Sequence, residues 1–177
     1  GVISADTGMH MPDFRAAERS FQMLTQVAGR SGRGETPGEV VVQTRLPDDP
    51  VLLAAAAQDF ETFAARELDE RREAGFPPFG RLLVLRWRGP DESGVESAAR
   101  EGAFALMRTL DPSTVMLGPA PAPLARLRGA YRWQALLRGD SARLLRDLTR
   151  GAWPQMSASA QRYGAILTVN VDPLTMM

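Results

Sequence analysis

The order of the apolar patterns after residue 80 constrains the fold of this chain more than any other feature. Segments with an apolar residue at every second position predict strands, and apolar steps of three and four residues predict helices. In chain order these patterns give a strand at 81–88, a helix at 92–110, a strand at 113–117, a hairpin-like pair at 124–128 and 131–138, a helix at 142–150 and a strand at 165–171. Although these patterns give three strand segments between the two helices, we interpret the order as strand, helix, two strands, helix, strand, the βαββαβ order of a ferredoxin-like α+β sandwich. Two helices covering four strands would leave one sheet face and the hairpin free to bind a partner.

A glycine-rich arginine motif near the start of the chain indicates a different kind of site. Residues 26–34 read QVAGRSGRG and follow a segment, 14–28, with helical periodicity. Arg30 and Arg33 lie three residues apart, and each guanidinium can hold phosphate oxygens with two hydrogen bonds. Gly29 and Gly32 would let the backbone turn tightly and approach a ligand closely. The alternative is an ordinary surface loop with solvated arginines. A β-branched segment at 39–44 predicts a strand after the turn.

Several motifs in a fixed order carry a family resemblance. The order strand end, loop, helix, arginine turn, strand resembles the end of the second RecA-like lobe of superfamily 2 helicases, in which QxxGRxGR is motif VI. The further landmarks are ADTGMHMPDFRAAER at 5–19, GFPPFGR at 75–81, LGPAPAP at 117–123, YRWQ at 131–134 and VDPL at 171–174. Together they resemble the family of primosomal replication-restart helicases, PriA or primosomal protein N′, over essentially the whole chain.

The resemblance implies an ATP-dependent 3′-to-5′ DNA helicase that recognises stalled or repaired replication forks and restarts replication by primosome assembly. It implies that Arg33 is an arginine finger, that Arg30 is a second phosphate contact, and that Gln26 couples the nucleotide to the DNA-facing side. The implied partners are forked and single-stranded DNA, single-stranded-DNA-binding protein, primosome proteins and the replicative helicase loader. The family's C-terminal domain is described as similar to a small ribosomal α/β protein.

The residues that the chain lacks limit what it can do alone. All 21 of its basic Lys or Arg residues are arginine, so it contains no GxxxxGK[ST] loop and we expect no ATP hydrolysis by this chain alone. It has no cysteine and therefore no thiolate metal site. By resemblance, the first ATPase lobe with its ATP and magnesium, and the zinc-binding cysteines, would precede Gly1. We thus expect a C-terminal portion with a helicase-lobe end at 1–46 and a binding domain at 47–177. The alternatives are a natural stand-alone protein and a non-catalytic DNA-binding or partner-docking module that has lost ATPase activity.

The charged residues are balanced in number but not in position. Lys plus Arg and Asp plus Glu each number 21. Residues 48–73 carry eight acidic residues against three arginines, whereas residues 120–150 carry seven arginines against two aspartates. This asymmetry favours an oriented encounter of one face with a polyanion, although two solvated surfaces that merely differ would give the same pattern. No apolar run is long enough to span a bilayer, so we expect no membrane partner and a cytoplasmic, nucleoid location.

The hairpin carries the predicted DNA-binding residues. On its first arm Arg126 and Arg128 share a face, and on its second arm the alternate positions 132, 134 and 138 share one. We expect a row of guanidiniums on one side, with Tyr131 and Trp133 either packed in the core or available to stack on bases. The complete set of candidates is Arg126, Arg128, Arg132, Arg138, Arg143 and Arg146. The short helix of the last two could instead receive an acidic peptide. We expect no metal site, and the lone His10 is interpreted as a loop residue.

Overall fold

The computed structural model of the 177-residue chain describes residues 4–9, 11–31 and 39–175. The chain divides into two compact units, Gly1–Arg71 and Arg72–Met177. Each unit has its own apolar core. None of the helices in the described residues combines the length and the hydropathy needed to span a bilayer.

The first unit is helical. Its helices are α1 (Asp6–Met9), α2 (Ala16–Ser31), α3 (Pro50–Ala57) and α4 (Phe60–Ala74), the last of which crosses the division between the units. Phe21 of α2 stacks on Phe63 of α4 with ring centroids 4.2 Å apart, and Leu24 and Leu52 are buried beside them. Asp49 caps α3 as expected, because its carboxylate accepts a hydrogen bond from the Val51 N–H at 2.8 Å.

Two features of the first unit differ from the expectations. The chain divides into its compact units between Arg71 and Arg72, whereas the expected boundary lay at residue 47, because α3 and α4 pack into the same core as α2. The predicted strand at 39–44 is reduced to a single β-bridge at Val42. Its described backbone pairing is one hydrogen bond, from the Ala5 N–H to the Gln43 carbonyl at 3.1 Å.

The second unit is a four-stranded sheet with two helices. Its elements are β1 (Arg81–Gly89), α5 (Glu92–Met107), β2 (Val115–Leu127), β3 (Ala130–Gly139), α6 (Ala142–Arg162) and β4 (Ile166–Val171). The sheet order is β2-β3-β1-β4, and every neighbouring pair is antiparallel. This confirms the predicted α+β fold with the βαββαβ order.

One face of the sheet and both helices form the core of this unit. Leu83, Leu85 and Trp87 of β1 are fully buried, and they lie opposite Leu137, Ala135 and Trp133 of β3. These side chains belong to the same apolar cluster as residues of α5 and α6. The period-2 pattern of β1 therefore positions the helices on one side of the sheet.

Three element boundaries differ from the predicted ones. The segments predicted at 113–117 and 124–128 belong to one strand, β2, whose pairing with β3 is interrupted twice by register shifts. The helix predicted at 142–150 continues to Arg162, because Ala152, Met156 and Ala160 extend its buried stripe at four-residue steps past Pro154. The helix predicted at 92–110 ends at Met107.

Candidate nucleic-acid interface

The motif predicted to contact a nucleotide lies at the end of α2. Gln26, Gly29 and Arg30 are residues of this helix, so Gly29 and Arg30 continue the helix and do not form the predicted turn. Gln26 and Arg30 are four residues apart, which places them on the same side of the helix, and both are exposed. Gly32 and Arg33 lie outside the described residues.

An apolar cavity of about 480 Å³ lies in the same unit. Its lining comprises Leu24, Ala28, Val40, Val42, Thr44, Pro47, Leu52, Leu53, Ala55, Ala56 and Gln58. Gln26, Gly29 and Arg30 are not among these lining residues. The exposed polar side of α2 is therefore distinct from this cavity.

The carboxylates of the first unit are largely engaged in structural contacts. The buried Asp13 accepts hydrogen bonds from the Arg15 N–H at 3.0 Å and from Arg19 Nη1 at 3.1 Å. Glu18 accepts from Arg15 and from Arg71, each with a contact of 2.9 Å. Hydrogen bonding from Arg15, followed by that from Arg71, lowers the pKa of Glu18 despite partial burial. No cluster of three or more metal-ligating side chains occurs in the residues that the structure describes.

The hairpin between β2 and β3 has a two-residue tip. Arg128 and Gly129 have φ values of 50° and 81°, as a type I′ turn requires at its two central positions. The turn pairs Arg126 with Tyr131, and the Arg126 guanidinium carbon lies 5.1 Å from the centre of the Tyr131 ring. Both arginines of the first arm are exposed. The tip therefore presents two solvent-accessible positive charges.

The predicted row of guanidiniums is divided between the two faces of the sheet. Directly paired residues of an antiparallel ladder share a face, so Arg126 lies on the face of Tyr131 and Arg132 lies on the opposite one. Arg138 shares the face of Arg132, but its Nη1 donates to the Ala74 carbonyl. The expectation of one continuous row is therefore wrong, because the register of the turn places the two arms' arginines on different faces.

The arginines of α6 form a third group. Arg143, Arg146 and Arg150 are exposed, and the first and last of them lie 3.8 and 3.2 Å from Asp147. Leu145 of the same helix packs into the core on the face opposite Arg132. The structure therefore does not join the helix arginines to the face of β3 that carries Arg132.

The aromatic residues of β3 point into the core. Trp133 is 8% exposed and belongs to the core cluster, and Tyr131 packs against that cluster. The Arg100 guanidinium carbon lies 5.4 Å from the centre of the Trp133 ring. Of the two roles predicted for Trp133, the structure shows core packing.

Two arginines outside the predicted DNA-binding set lie beside Arg132. Arg88 of β1 pairs directly with Arg132, and Arg86 pairs with Gln134. Burial lowers the pKa of Arg86, and the neighbouring positive charge of Arg132 adds to this effect. The signal was present in the sequence, because the alternation of 81–88 places both arginines opposite the apolar face.

The sheet face away from the helices is only partly free. Leu82 and Val84 of β1 lie on that face and are 0% and 3% exposed. Arg88, two pairs further along this face of the strand from Val84, is exposed. The expectation of a wholly free face therefore holds only toward the Arg88 end of β1.

Comparison with known proteins places the chain in a family. The family model described as "Primosomal protein N C-terminal domain" matches residues 72–174. Proteins named "Replication restart protein PriA" from Synechocystis, Treponema pallidum and Bacillus subtilis are 39%, 38% and 33% identical to it. The alignments cover 99%, 100% and 100% of this chain but only 20%, 26% and 22% of those relatives. The chain belongs to the family of the primosomal protein N C-terminal domain.

Proposed function

We propose that this chain acts in replication restart as part of an ATP-dependent 3′-to-5′ DNA helicase, and that its second unit binds DNA. The observation that supports this most strongly is the 39% identity, over 99% of the chain, to a protein named "Replication restart protein PriA". The chain spans about a fifth to a quarter of the length of such relatives, so we propose the helicase activity for the whole protein and not for this chain alone. The proposed DNA substrates are stalled or repaired forks.

In this proposal the end of α2 supplies half of an ATPase site. Gln26 and Arg30 lie on one exposed side of α2, and the chain has no lysine for a phosphate-binding loop. Arg33 would act as the arginine finger toward a γ-phosphate and magnesium ion bound by another lobe. Such a finger stabilises the charge that develops during phosphoryl transfer and contributes about 10³ to 10⁵ in rate.

Substitution of Arg33 in the full-length protein tests the finger. We expect Arg33→Ala to lose DNA-stimulated ATP hydrolysis by at least about 10³-fold while it keeps its affinity for DNA. The matched control is Arg45→Ala, which removes an exposed arginine of the same unit and should leave hydrolysis unchanged. Hydrolysis by the Arg33 variant at the rate of the control would refute the role.

The second unit is proposed to contact DNA through the hairpin tip and α6. Arg126 and Arg128 are exposed at the tip, and Arg143 and Arg146 are exposed on the helix. Guanidiniums in such positions bind phosphates and release counterions, so affinity falls as salt rises. Phosphate contacts of this kind position a protein on DNA without specifying a sequence.

Salt-dependent binding tests the contribution of the tip. Binding of the 177-residue chain to forked and to single-stranded DNA is measured by fluorescence anisotropy across a series of salt concentrations. For single strands we expect Arg126→Ala with Arg128→Ala to reduce the salt slope by about 0.7 for each phosphate that the protein no longer neutralises. Arg66→Ala with Arg72→Ala removes the same charge from α4 and serves as the control. A DNA affinity and a salt slope equal to those of the control would show that the hairpin tip does not bind DNA.

The protein partners and cofactors are further parts of the proposal. Single-stranded-DNA-binding protein, primosome proteins and the replicative helicase loader are the proposed partners, at the nucleoid in the cytoplasm. Calorimetry with purified single-stranded-DNA-binding protein, with and without its acidic tail, tests whether this protein is a partner. If the intact protein gives no heat of binding, it is not a partner of this chain. Zinc would require cysteines elsewhere in the full-length protein, because this chain has none.

A further inference from the structure

Three arginines from two neighbouring strands lie on the sheet face away from the helices: Arg86 and Arg88 of β1, and Arg132 of β3. Arg88 lies directly opposite Arg132, and Arg86 lies opposite Gln134, the next pair along this face. Side chains of directly opposed residues in an antiparallel pair have Cβ atoms about 4.5 to 5.5 Å apart. On the other side of β1, Arg88 pairs with Ile166 of β4 and Arg86 pairs with Thr168, and neither of these partners carries a charge.

The direct opposition of Arg88 and Arg132 is unfavourable without an anion. Like charges directly opposite each other destabilise a sheet. Arg132 is only 8% exposed, and the hydrogen bond from its Nη1 to the Leu124 carbonyl is 3.5 Å long. No ion pair between a carboxylate and Arg88 or Arg132 occurs within the described residues. A buried guanidinium normally forms several short charge-assisted hydrogen bonds.

Gln134, a polar side chain beside these arginines, has an unused hydrogen-bond acceptor. The side-chain oxygen of Gln134 is buried and has no hydrogen-bond partner in the described part of the chain. Buried polar atoms of this kind are rare, and an unseen ligand or water is one common explanation. A 180° rotation of the Gln134 amide would exchange its oxygen and nitrogen and place an N–H donor at this position.

We propose that Arg86, Arg88, Arg132 and Gln134 form a binding site for a phosphoryl oxyanion, and that in the working protein this anion is a phosphate of a DNA strand. The choice of DNA rests on the proposed function. Arg132 is held in place by burial, whereas the exposed Arg88 offers its fork to an incoming phosphate. An anion between the two arginines replaces their mutual repulsion by two charge-assisted contacts.

The composition of this face indicates recognition of the backbone and not of bases. The paired strand residues on it are the aliphatic, arginine and amide neighbours of Arg132 and Gln134 in β1, β2, β3 and β4, together with Thr168. None of them is aromatic, so this part of the face offers no stacking surface of the kind that single-strand binders use. We therefore expect the site to bind strands of different base composition equally well.

The test compares two exposed arginines in the full 177-residue chain. Arg88→Gln removes one charge from the proposed site, and Arg108→Gln removes one from the end of α5, where that arginine is exposed. Anisotropy measures binding of oligo-dT and of a mixed-base strand, and calorimetry measures binding of inorganic pyrophosphate. We expect Arg88→Gln to weaken binding of both oligonucleotides about tenfold, to lower the salt slope by about 0.7, and to abolish pyrophosphate binding. Arg108→Gln should stay within about twofold of the unmodified chain, because it neutralises no phosphate in this proposal.

The outcomes separate this site from the proposed function. If Arg88→Gln and Arg108→Gln bind every ligand with the same affinity, the proposed site is wrong. This holds even if the hairpin-tip variants have lost affinity for DNA. If pyrophosphate binding depends on Arg88 while the chain binds no DNA, the anion site stands, its occupant is a free phosphate compound and the DNA assignment fails. A dependence of oligonucleotide affinity on base composition would overturn the backbone mode of binding. Because Arg88 is exposed, its substitution is expected to leave the fold intact, which circular dichroism checks.

Discussion

Gly102 of α5 allows close packing between this helix and the sheet. The structure indicates whether its replacement by alanine raises or lowers the free energy of unfolding. An added Cβ would lie 2.9 Å from Cζ2 and 3.3 Å from Nε1 of Trp87. Trp87 is fully buried in the centre of the core. The indole is rigid and enclosed, so it must shift by several tenths of an ångström to accept the methyl group.

Two effects compete in Gly102→Ala. Alanine stabilises a helix interior by about 1 kcal/mol relative to glycine. Overpacking of a filled core costs about 1 to 3 kcal/mol. We therefore expect a net loss of roughly 0 to 2 kcal/mol in the free energy of unfolding.

Gly151 of α6 provides a matched control for the steric effect. It is an exposed residue inside a helix, and an added Cβ would meet no atom within 4 Å. Gly151→Ala should therefore raise the free energy of unfolding by about 1 kcal/mol. The helix-propensity effect is common to both variants, so the difference between them isolates the overpacking cost of about 1 to 3 kcal/mol.

Guanidinium-induced unfolding followed by tryptophan fluorescence measures this difference. Trp87, Trp133 and Trp153 all lie in the second unit, so the signal reports that unit alone. The expected result is a lower midpoint for Gly102→Ala and a higher one for Gly151→Ala, with similar denaturant slopes. Equal shifts of the two midpoints would show that Trp87 moves freely and would refute the steric reasoning.

Three further substitutions test other parts of the fold. Leu137→Ala removes a fully buried side chain and should cost about 2 to 5 kcal/mol by the same fluorescence assay, whereas Leu127→Ala, at a 46% exposed position, should change stability by less than about 1 kcal/mol. Arg128→Gly relieves a positive φ of 50° at the hairpin tip and should leave stability equal or higher in that assay; a clear loss would contradict the turn geometry. Because the folded state lowers the pKa of Glu18, its ion pairs stabilise the first unit above the ordinary glutamate pKa, and this stabilisation is lost as pH falls through the lowered value. Thermal unfolding followed by circular dichroism between about pH 6 and 3 should show this loss, and Glu18→Gln should show a weaker dependence on pH.

Strands with a clean period were predictable from the sequence, and strands that contain proline were not. The alternation in β1 predicted its buried face correctly, because Leu83, Leu85 and Trp87 all face one core. Pro119, Pro121 and Pro123 obscured the continuity of β2, which was predicted as two separate strands. Proline cannot donate to a ladder, but an edge strand such as β2 needs donors on one side only.

The end of α6 could not be located from local signals. Gly151 and Pro154 both resemble signals that end a helix, and they follow the predicted last residue closely. The helix continues because tertiary burial of Ala152, Met156 and Ala160 outweighs these local preferences. The buried stripe itself is visible in the sequence at four-residue spacing, so periodicity was a better guide here than single residues.

The faces on which the arginines lie depend on the register between β2 and β3. The pattern of charges along the sequence does not predict that register. Residues 120–150 hold seven arginines, yet the structure distributes them over a hairpin tip, two sheet faces and a helix. A two-residue turn at Arg128 and Gly129 pairs Arg126 with Tyr131 and thereby puts Arg126 and Arg132 on opposite faces. A turn one residue longer would have changed that pairing and could have brought the arms' arginines together.

The sheet face that carries Arg132 gains its positive charge from elsewhere in the chain. Arg86 and Arg88 lie on β1, which is separated from the arginine-rich segment by α5. They lie beside Arg132 only because β1 pairs with β3 in the centre of the sheet. A count of charges along the sequence therefore identifies a basic segment but not a basic surface. If the phosphate of a DNA strand binds between Arg88 and Arg132, then the ββ pairing that builds the core also builds the site. Its affinity should accordingly respond to changes in the pairing of these two strands and not to the total number of arginines.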